Sequence, residues 1–137
     1  MLSDAIFHHV GIAVESIEKT AILFTEAGYK MTTVVFDPKQ NVNISFLEKD
    51  GSPLLELVEP VDEKSPVRNI LNKVGVSAYH FCYEVGNLND SIAQLRKKKF
   101  MLLVKPVETV AFDGRKVCFL YHRETGLTEL LEKLNAT

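Results

Sequence analysis

Tryptophan is absent, only two cysteines occur, and no apolar run approaches the length needed to span a membrane. Cys82 and Cys118 each lie alone inside an apolar, strand-like stretch, which suits buried free thiols in a reducing compartment better than a disulfide. An excess of charge of one sign is lacking too. The 16 Lys and Arg against 18 Asp and Glu leave a net charge of −2, which gives no electrostatic footprint for nucleic acid or an acidic membrane surface. The one basic run, Arg96 to Lys99, falls at the end of an expected helix, where positive charge complements the macrodipole. The N-terminus shows no basic region followed by an apolar core, so a cytoplasmic protein is expected.

What is present is a repeat. The phrase beginning at His9 (HVGIAV) returns 71 residues later at His80 (HFCYEV). Counted from each histidine, Val14 matches Val85, Ile17 matches Leu88, Ala21 matches Ile92, Phe24 matches Leu95 and Tyr29 matches Phe100. Each copy closes on a similar phrase, LELVE from Leu55 and TELLE from Thr128, with Glu56 lying 47 residues after His9 and Glu129 lying 49 after His80. Agreement to within two residues over that span argues for two structural modules. One domain over residues 1–137 is expected, built of modules at about 5–60 and 77–133 joined by a linker at 61–76.

Residues 6–14 alternate, with His8, Val10, Ile12 and Val14 on one face and Phe7, His9, Gly11 and Ala13 on the other. The aliphatic face should pack on helices, leaving His9 among small residues with room above it. Ser16 is the expected N-cap of a helix carrying Ile17, Ala21 and Phe24, with Gly28 in the C′ position. Strands are expected over Tyr29–Phe36, Val42–Glu48 and Leu54–Glu59, giving a β-α-β-β-β order. In the linker, Ser65 and Pro66 open a short helix that Gly75 closes. The second copy repeats the plan: a strand over 78–85, a helix capped by Asn87 or Asn89 and running to about Lys98, and strands at Phe100–Lys105, Val117–Tyr121 and Leu127–Glu132. The stretch after Pro106 should be irregular or edge-like, and the tail from Lys133 to Thr137 should fray.

Register turns this plan into chemistry. Glu56 shares its face with Val58, and Glu129 shares its face with Leu131, while the neighbouring leucines face the other way. Two modules related by pseudo-twofold symmetry would bring two first strands and two last strands around a shared cup, presenting two imidazoles and two carboxylates to a common point. An unpaired buried carboxylate is costly, and a divalent cation removes that cost. Two nitrogens and two carboxylate oxygens suit Zn, Ni, Co, Fe or Mn, with open positions left for water or substrate. Histidines satisfied within the core are the alternative. His8, on the face opposite His9, is expected to pack or meet solvent.

The phrases HHVGIAVESI, LELVEP followed by SP, YHFCYEV, and RKVCFLY followed by GLTELLE resemble the vicinal oxygen chelate superfamily. Within it the chain is most similar to the glyoxalase I and methylmalonyl-CoA epimerase branch, over residues 6–133. The resemblance implies an α+β fold of two tandem βαβββ modules, with a cupped mixed or antiparallel sheet around a metal site and helices on the outer face. It implies His9, Glu56, His80 and Glu129 as metal ligands, and Glu129 first and Glu56 second as the catalytic carboxylate that moves a proton. A glyoxalase I-like lyase is expected, isomerising a hemithioacetal of methylglyoxal and a thiol through an enediolate. The alternative is methylmalonyl-CoA epimerase acting through a metal-stabilised enolate.

Many epimerases of this branch carry an additional acidic base where this chain has Ile44, and paired histidines where it has Ala78, Tyr79 and His80. A small thioester or hemithioacetal substrate and a homodimer are expected. Arg115, Lys116, His122 and Arg123 are the candidates for substrate contacts. The same fold also serves as a metal-free small-molecule-binding dimer and as a two-histidine, one-carboxylate iron dioxygenase. The first of these would lose the ligand positions and the second would keep only three, whereas this sequence keeps all four.

Overall fold

The computed structural model describes residues 1–134. The fold is α+β, and among the described residues it comprises nine strands, three α-helices and one short 3-10 helix. The chain divides into two compact units, one formed by His9–Tyr79 and the other by Met1–His8 together with the chain from His80 onward. None of the helices among the described residues is long and apolar enough to cross a membrane.

The unit formed by His9–Tyr79 holds most of β1 (Ile6–Ala13), then α1 (Ile17–Thr25), β2 (Lys30–Met31), β3 (Val35–Asp37), β4 (Val42–Glu48), β5 (Leu55–Pro60) and α2 (Pro66–Val74). β1 and β5 pair in parallel, with Gly11 opposite Glu56 and Ala13 opposite Val58. β5 runs antiparallel to β4, and β4 in turn carries β2 and β3 as antiparallel partners. The expected single strand over Tyr29–Phe36 is therefore broken in two. Thr32, inside the break, donates its backbone N–H to the Phe46 carbonyl, and its hydroxyl accepts from the Phe46 N–H, which satisfies the backbone locally where the ladder stops.

α1 starts where the sequence places it. Ser16 is extended and its hydroxyl accepts from Lys19 N–H at 3.1 Å, while the Glu59 carboxylate from β5 accepts from Ile17 N–H at 2.7 Å. A carboxylate at a helix N-terminus also opposes the positive end of the dipole. The C-cap is Glu26, so Gly28 is not the C′ residue expected. It stands at φ +95° in the turn beyond, where Ala27 and Tyr29 both donate to the Phe24 carbonyl. Ile17 and Ala21 on α1 pack with Val14, Leu47 and Leu57, and Ile12 joins them from β1. The opposite face of β1 is not the open one expected: Gly11 is buried, and His9 and Ala13 are fully so. The residues beside the two small ones in the parallel register, Glu56 and Val58, are the larger groups that the missing side chains accommodate. α2 opens at Pro66 and ends at Gly75, as expected, and buries Val67 and Leu71.

The second unit contains β6 (Ser77–Val85), shared in part with the first, α3 (Leu88–Lys97), β7 (Met101–Glu108), the 3-10 helix (Val110–Phe112), β8 (Lys116–His122) and β9 (Gly126–Glu132). Its pairing repeats that of the first unit: β6 with β9 in parallel, then β8 and β7 antiparallel. Asn87, rather than Asn89, caps α3, accepting from Asp90 N–H at 2.9 Å. Leu88, Ile92 and Leu95 pack on Cys118, Leu120 and Leu130.

β7 runs on through Pro106, beyond the expected end at Lys105. The proline is tolerated because β7 is an edge strand and its register shifts between Leu102 and Val104, and again between Val104 and Val107, so no ladder bond is asked of it. The fraying expected for the tail concerns residues 133–137, of which 135–137 lie outside the described residues.

Replacing the Asn87 cap by alanine, or Ser16 likewise, is expected to lower unfolding free energy by about 1 kcal/mol each. Urea titration with an unchanged m-value checks this, and an unaltered midpoint in N87A would show that the cap bond contributes nothing net.

Candidate metal centre and its two halves

In the first unit, the parallel register sets Glu56 beside Gly11, and His9 lies two residues earlier on the same face of β1. The His9 Nε2 to Glu56 Oε1 distance is 3.4 Å, with the imidazole fully buried and the carboxylate almost so. Antiparallel pairing puts Phe46 on the other side of Glu56, and its ring stands edge-on to the His9 imidazole, with centroids 5.7 Å apart and planes at 77°. Alternation then sends Leu57 and Leu47 to the opposite face, into the cluster under α1.

The second unit contains the same constellation. Cys82 is the register partner of Glu129, His80 precedes it by two, and Phe119 flanks Glu129 from β8. The His80 Nε2 to Glu129 Oε1 distance is 3.1 Å between two buried side chains. The Phe119 ring meets the His80 ring edge-on at 5.5 Å and 90°. The thiol of Cys82 thus occupies the place that Gly11 leaves without a side chain.

Each half offers one imidazole nitrogen and one carboxylate oxygen, the donor chemistry of a borderline divalent transition metal. Adjacent donors bound at about 2.0–2.2 Å from one ion stand about 3.0–3.5 Å apart. The separations of 3.4 and 3.1 Å within the halves fit that requirement. An ion would also neutralise carboxylates whose burial is otherwise costly.

The remaining candidates stand elsewhere. Arg115 is engaged internally, its guanidinium donating to the Glu84 carboxylate at 2.5 Å and to the Glu132 carbonyl at 2.8 and 2.6 Å. Arg123 pairs with its neighbour Glu124 in solvent, and Lys116 is exposed. His122 is the last residue of β8 rather than a loop residue. Its Nδ1 accepts from Glu124 N–H at 3.0 Å and its ring lies 4.8 Å from Phe100. His8 is half-buried and meets Phe112 edge-on at 5.3 Å.

Phe46 and Phe119 were not singled out by the sequence reading, although a signal for them exists. Each precedes its glutamate by ten residues, from 46 to 56 and from 119 to 129, and each is followed by leucine.

Both cysteines are buried and neither forms a disulfide, as expected. Burial pushes the Cys118 thiol up from 9.0 to about 12; the negative charge of Glu129 adds to this, and a backbone hydrogen bond from Leu130 partly opposes it.

Comparison with known proteins places these features in a family. The model of the Glyoxalase/Bleomycin resistance protein/Dioxygenase superfamily matches residues 8–119. Mitochondrial methylmalonyl-CoA epimerase of Homo sapiens is 33% identical over 122 residues, covering 87% of this chain and 68% of that protein. Among solved structures, a hypothetical protein from Bacillus halodurans superposes with a TM-score of 0.86 at 28% identity, covering 98% of this chain and 99% of the other. Methylmalonyl-CoA epimerase from Mycobacterium tuberculosis shares the fold, with a TM-score of 0.83 at 23% identity and coverage of 98% and 94%.

The burial of the thiols gives a direct test. At pH 8 a disulfide reagent is expected to label neither cysteine in the folded protein and both after unfolding. The raised Cys118 value stabilises the fold fully below pH 9, where both states keep the proton. That contribution fades as pH rises from 9 towards 12, because the unfolded thiol ionises first. Rapid labelling of Cys118 at pH 8 without unfolding would contradict its placement.

Proposed function

Because the chain belongs to the Glyoxalase/Bleomycin resistance protein/Dioxygenase superfamily, we propose that it is an isomerase of the methylmalonyl-CoA epimerase type, acting on a small acyl thioester. The observation that carries the proposal is the twice-built His–Glu pair, buried in each unit, in a chain one-third identical to a named epimerase over most of its length. Of the two chemistries expected from the sequence, the relatives favour the epimerase, held there as the alternative, over the glyoxalase I-like lyase.

We assign His9, Glu56, His80 and Glu129 as the ligands of one divalent metal ion, with Zn, Ni, Co, Fe and Mn all compatible with the nitrogen and oxygen donors. Such an ion, when bound, supplies a Lewis acid that makes a carbon acid beside the thioester carbonyl easier to deprotonate. The chain's own residues do the rest. Glu129 is the proposed base that takes the proton from the carbon between thioester and carboxylate, and Glu56 is the second carboxylate, proposed to serve the opposite face. Inversion needs both removal and return of a proton, so two carboxylates suit it better than one.

Ile44, where the resemblance puts a further acid in many epimerases, is buried and apolar here, which leaves this work to the pair. Phe46 and Phe119 line the carboxylates with apolar surface, which limits water around them. Lys116 and Arg123 are the cations proposed for the anionic portion of the substrate, since Arg115 is engaged with Glu84 and Glu132. A homodimer completes the proposal, supported by exposed Met101 and Leu103 on edge strand β7.

Metal-loaded protein is expected to exchange deuterium into methylmalonyl-CoA in heavy water, and to form no lactoyl thioester from methylglyoxal and thiol. Glu129→Gln is expected to cut exchange by about 10²–10⁴-fold while the metal stays bound. Undiminished exchange in that variant would remove Glu129 as the base. Lactoyl thioester formation without exchange would replace the epimerase by the lyase.

A further inference from the structure

A phenyl ring stands edge-on to the imidazole of each buried His–Glu pair. We propose that Phe46 and Phe119 are positioning residues, each fixing the plane of one imidazole, the plane in which its Nε2 meets the neighbouring carboxylate. The inference deepens the reading of His9 and His80 as metal donors and rests on it.

The geometry is the same in each unit taken separately. Phe46 is the direct register partner of Glu56, and its ring meets His9 at 77°. Phe119 is the register partner of Glu129, and its ring meets His80 at 90°. Edge-to-face contact couples the positive edge of one ring to the negative face of the other, so tilting the imidazole out of its plane about the Cβ–Cγ bond loses the contact, while the carboxylate selects the nitrogen that faces it. The orientation kept by that contact leaves Nε2 3.4 Å from the Glu56 carboxylate in one half and 3.1 Å from the Glu129 carboxylate in the other.

A filler residue would need only volume, which leucine or methionine also supplies. Yet both units use phenylalanine, at the same offset of ten residues before the glutamate and with nearly the same centroid distance, 5.7 and 5.5 Å. Metal-binding imidazoles must present one nitrogen along a fixed direction, and groups that hold the ring typically affect metal affinity by about 10–100-fold.

The test compares Phe46→Leu, Phe119→Leu and the ring-keeping Phe46→Tyr with the unchanged full chain. Nitrogen-15 spectra of the metal-free protein are expected to show a single tautomer for His9 and for His80. In F46L the His9 signals should shift towards tautomer averaging while those of His80 stay unchanged, and F46Y should restore the original pattern. On titration with Co²⁺, F46L should bind about tenfold more weakly and show an altered visible d–d spectrum. Phe46 is only partly buried, so F46L reads the inference even where F119L does not fold. Wild-type His9 signals in F46L would overturn the positioning role, whatever the metal does. A parent chain that binds no Co²⁺ would overturn the metal reading instead, and the tautomer pattern would still decide the role of the rings.

Discussion

A buried imidazole set against a buried carboxylate is the constraint on which each unit is built. Removing a carboxylate from water costs several kcal/mol unless a proton, a cation or a set of hydrogen bonds replaces the lost hydration. Both Glu56 and Glu129 sit in strands otherwise rich in leucine and valine, where a chance acidic residue would be selected against by that cost. The structure keeps them by giving each a histidine at 3.4 or 3.1 Å from the parallel neighbour strand. Parallel pairing is what makes this possible, because β1 and β6 come first in their modules while β5 and β9 come last. Only a crossover can lay such strands side by side.

The crossover has its own requirements, and they explain much of the remaining structure. α1 and α3 must cover the sheet face opposite the carboxylates, and they do so with Ile17 and Ala21 on one helix and Leu88, Ile92 and Leu95 on the other. The leucines that alternate with the glutamates, Leu57 and Leu130, are the surface those helices bury. One strand therefore serves two environments at once, polar on one face and apolar on the other. The third residue after each glutamate ties the end of its strand to a backbone N–H: Glu59 accepts from Ile17 at the start of α1, and Glu132 accepts from Lys116 at the start of β8. These bonds hold the strand that carries the buried carboxylate by its C-terminal end.

How much of this the sequence disclosed follows from what alternation can and cannot express. Period-two patterning gives the face of a residue, so Glu56 and Glu129 separated from their leucines without any structure, and the matched spacings to His9 and His80 paired them. Local chemistry likewise placed the cap at Ser16 and narrowed the other to Asn87 or Asn89, because such bonds reach only three residues ahead. Alternation does not say which strands become neighbours. Phe46 and Phe119 come to lie beside the glutamates only through the antiparallel register. The capping role of Glu59 spans 42 residues and was hidden for the same reason. Arg115 looked like a free cation beside a strand, but Glu84 and the Glu132 carbonyl, 31 and 17 residues away in sequence, converge on its guanidinium. The break between β2 and β3 depends on a hydroxyl, that of Thr32, competing for a ladder bond, which composition alone does not reveal.

The duplication supplies similar halves, and the proposed chemistry asks one carboxylate of each. An epimerisation takes a proton from one face of a carbon and returns it to the other, so each carboxylate would serve one face. The fold breaks the equivalence beside the carboxylates themselves. Glu56 has Gly11 as its parallel neighbour and so meets no side chain there, whereas Glu129 has Cys82 in the corresponding place. Phe46 is partly exposed, whereas Phe119 is buried, so the aromatic wall is also more closed around Glu129. Glu56 is thus flanked by a glycine and a partly buried ring, and Glu129 by a thiol and a buried ring. The two halves thus share a donor set and an orientation while differing in what flanks the carboxylate, so the proposed reaction would meet unlike surroundings in the two halves.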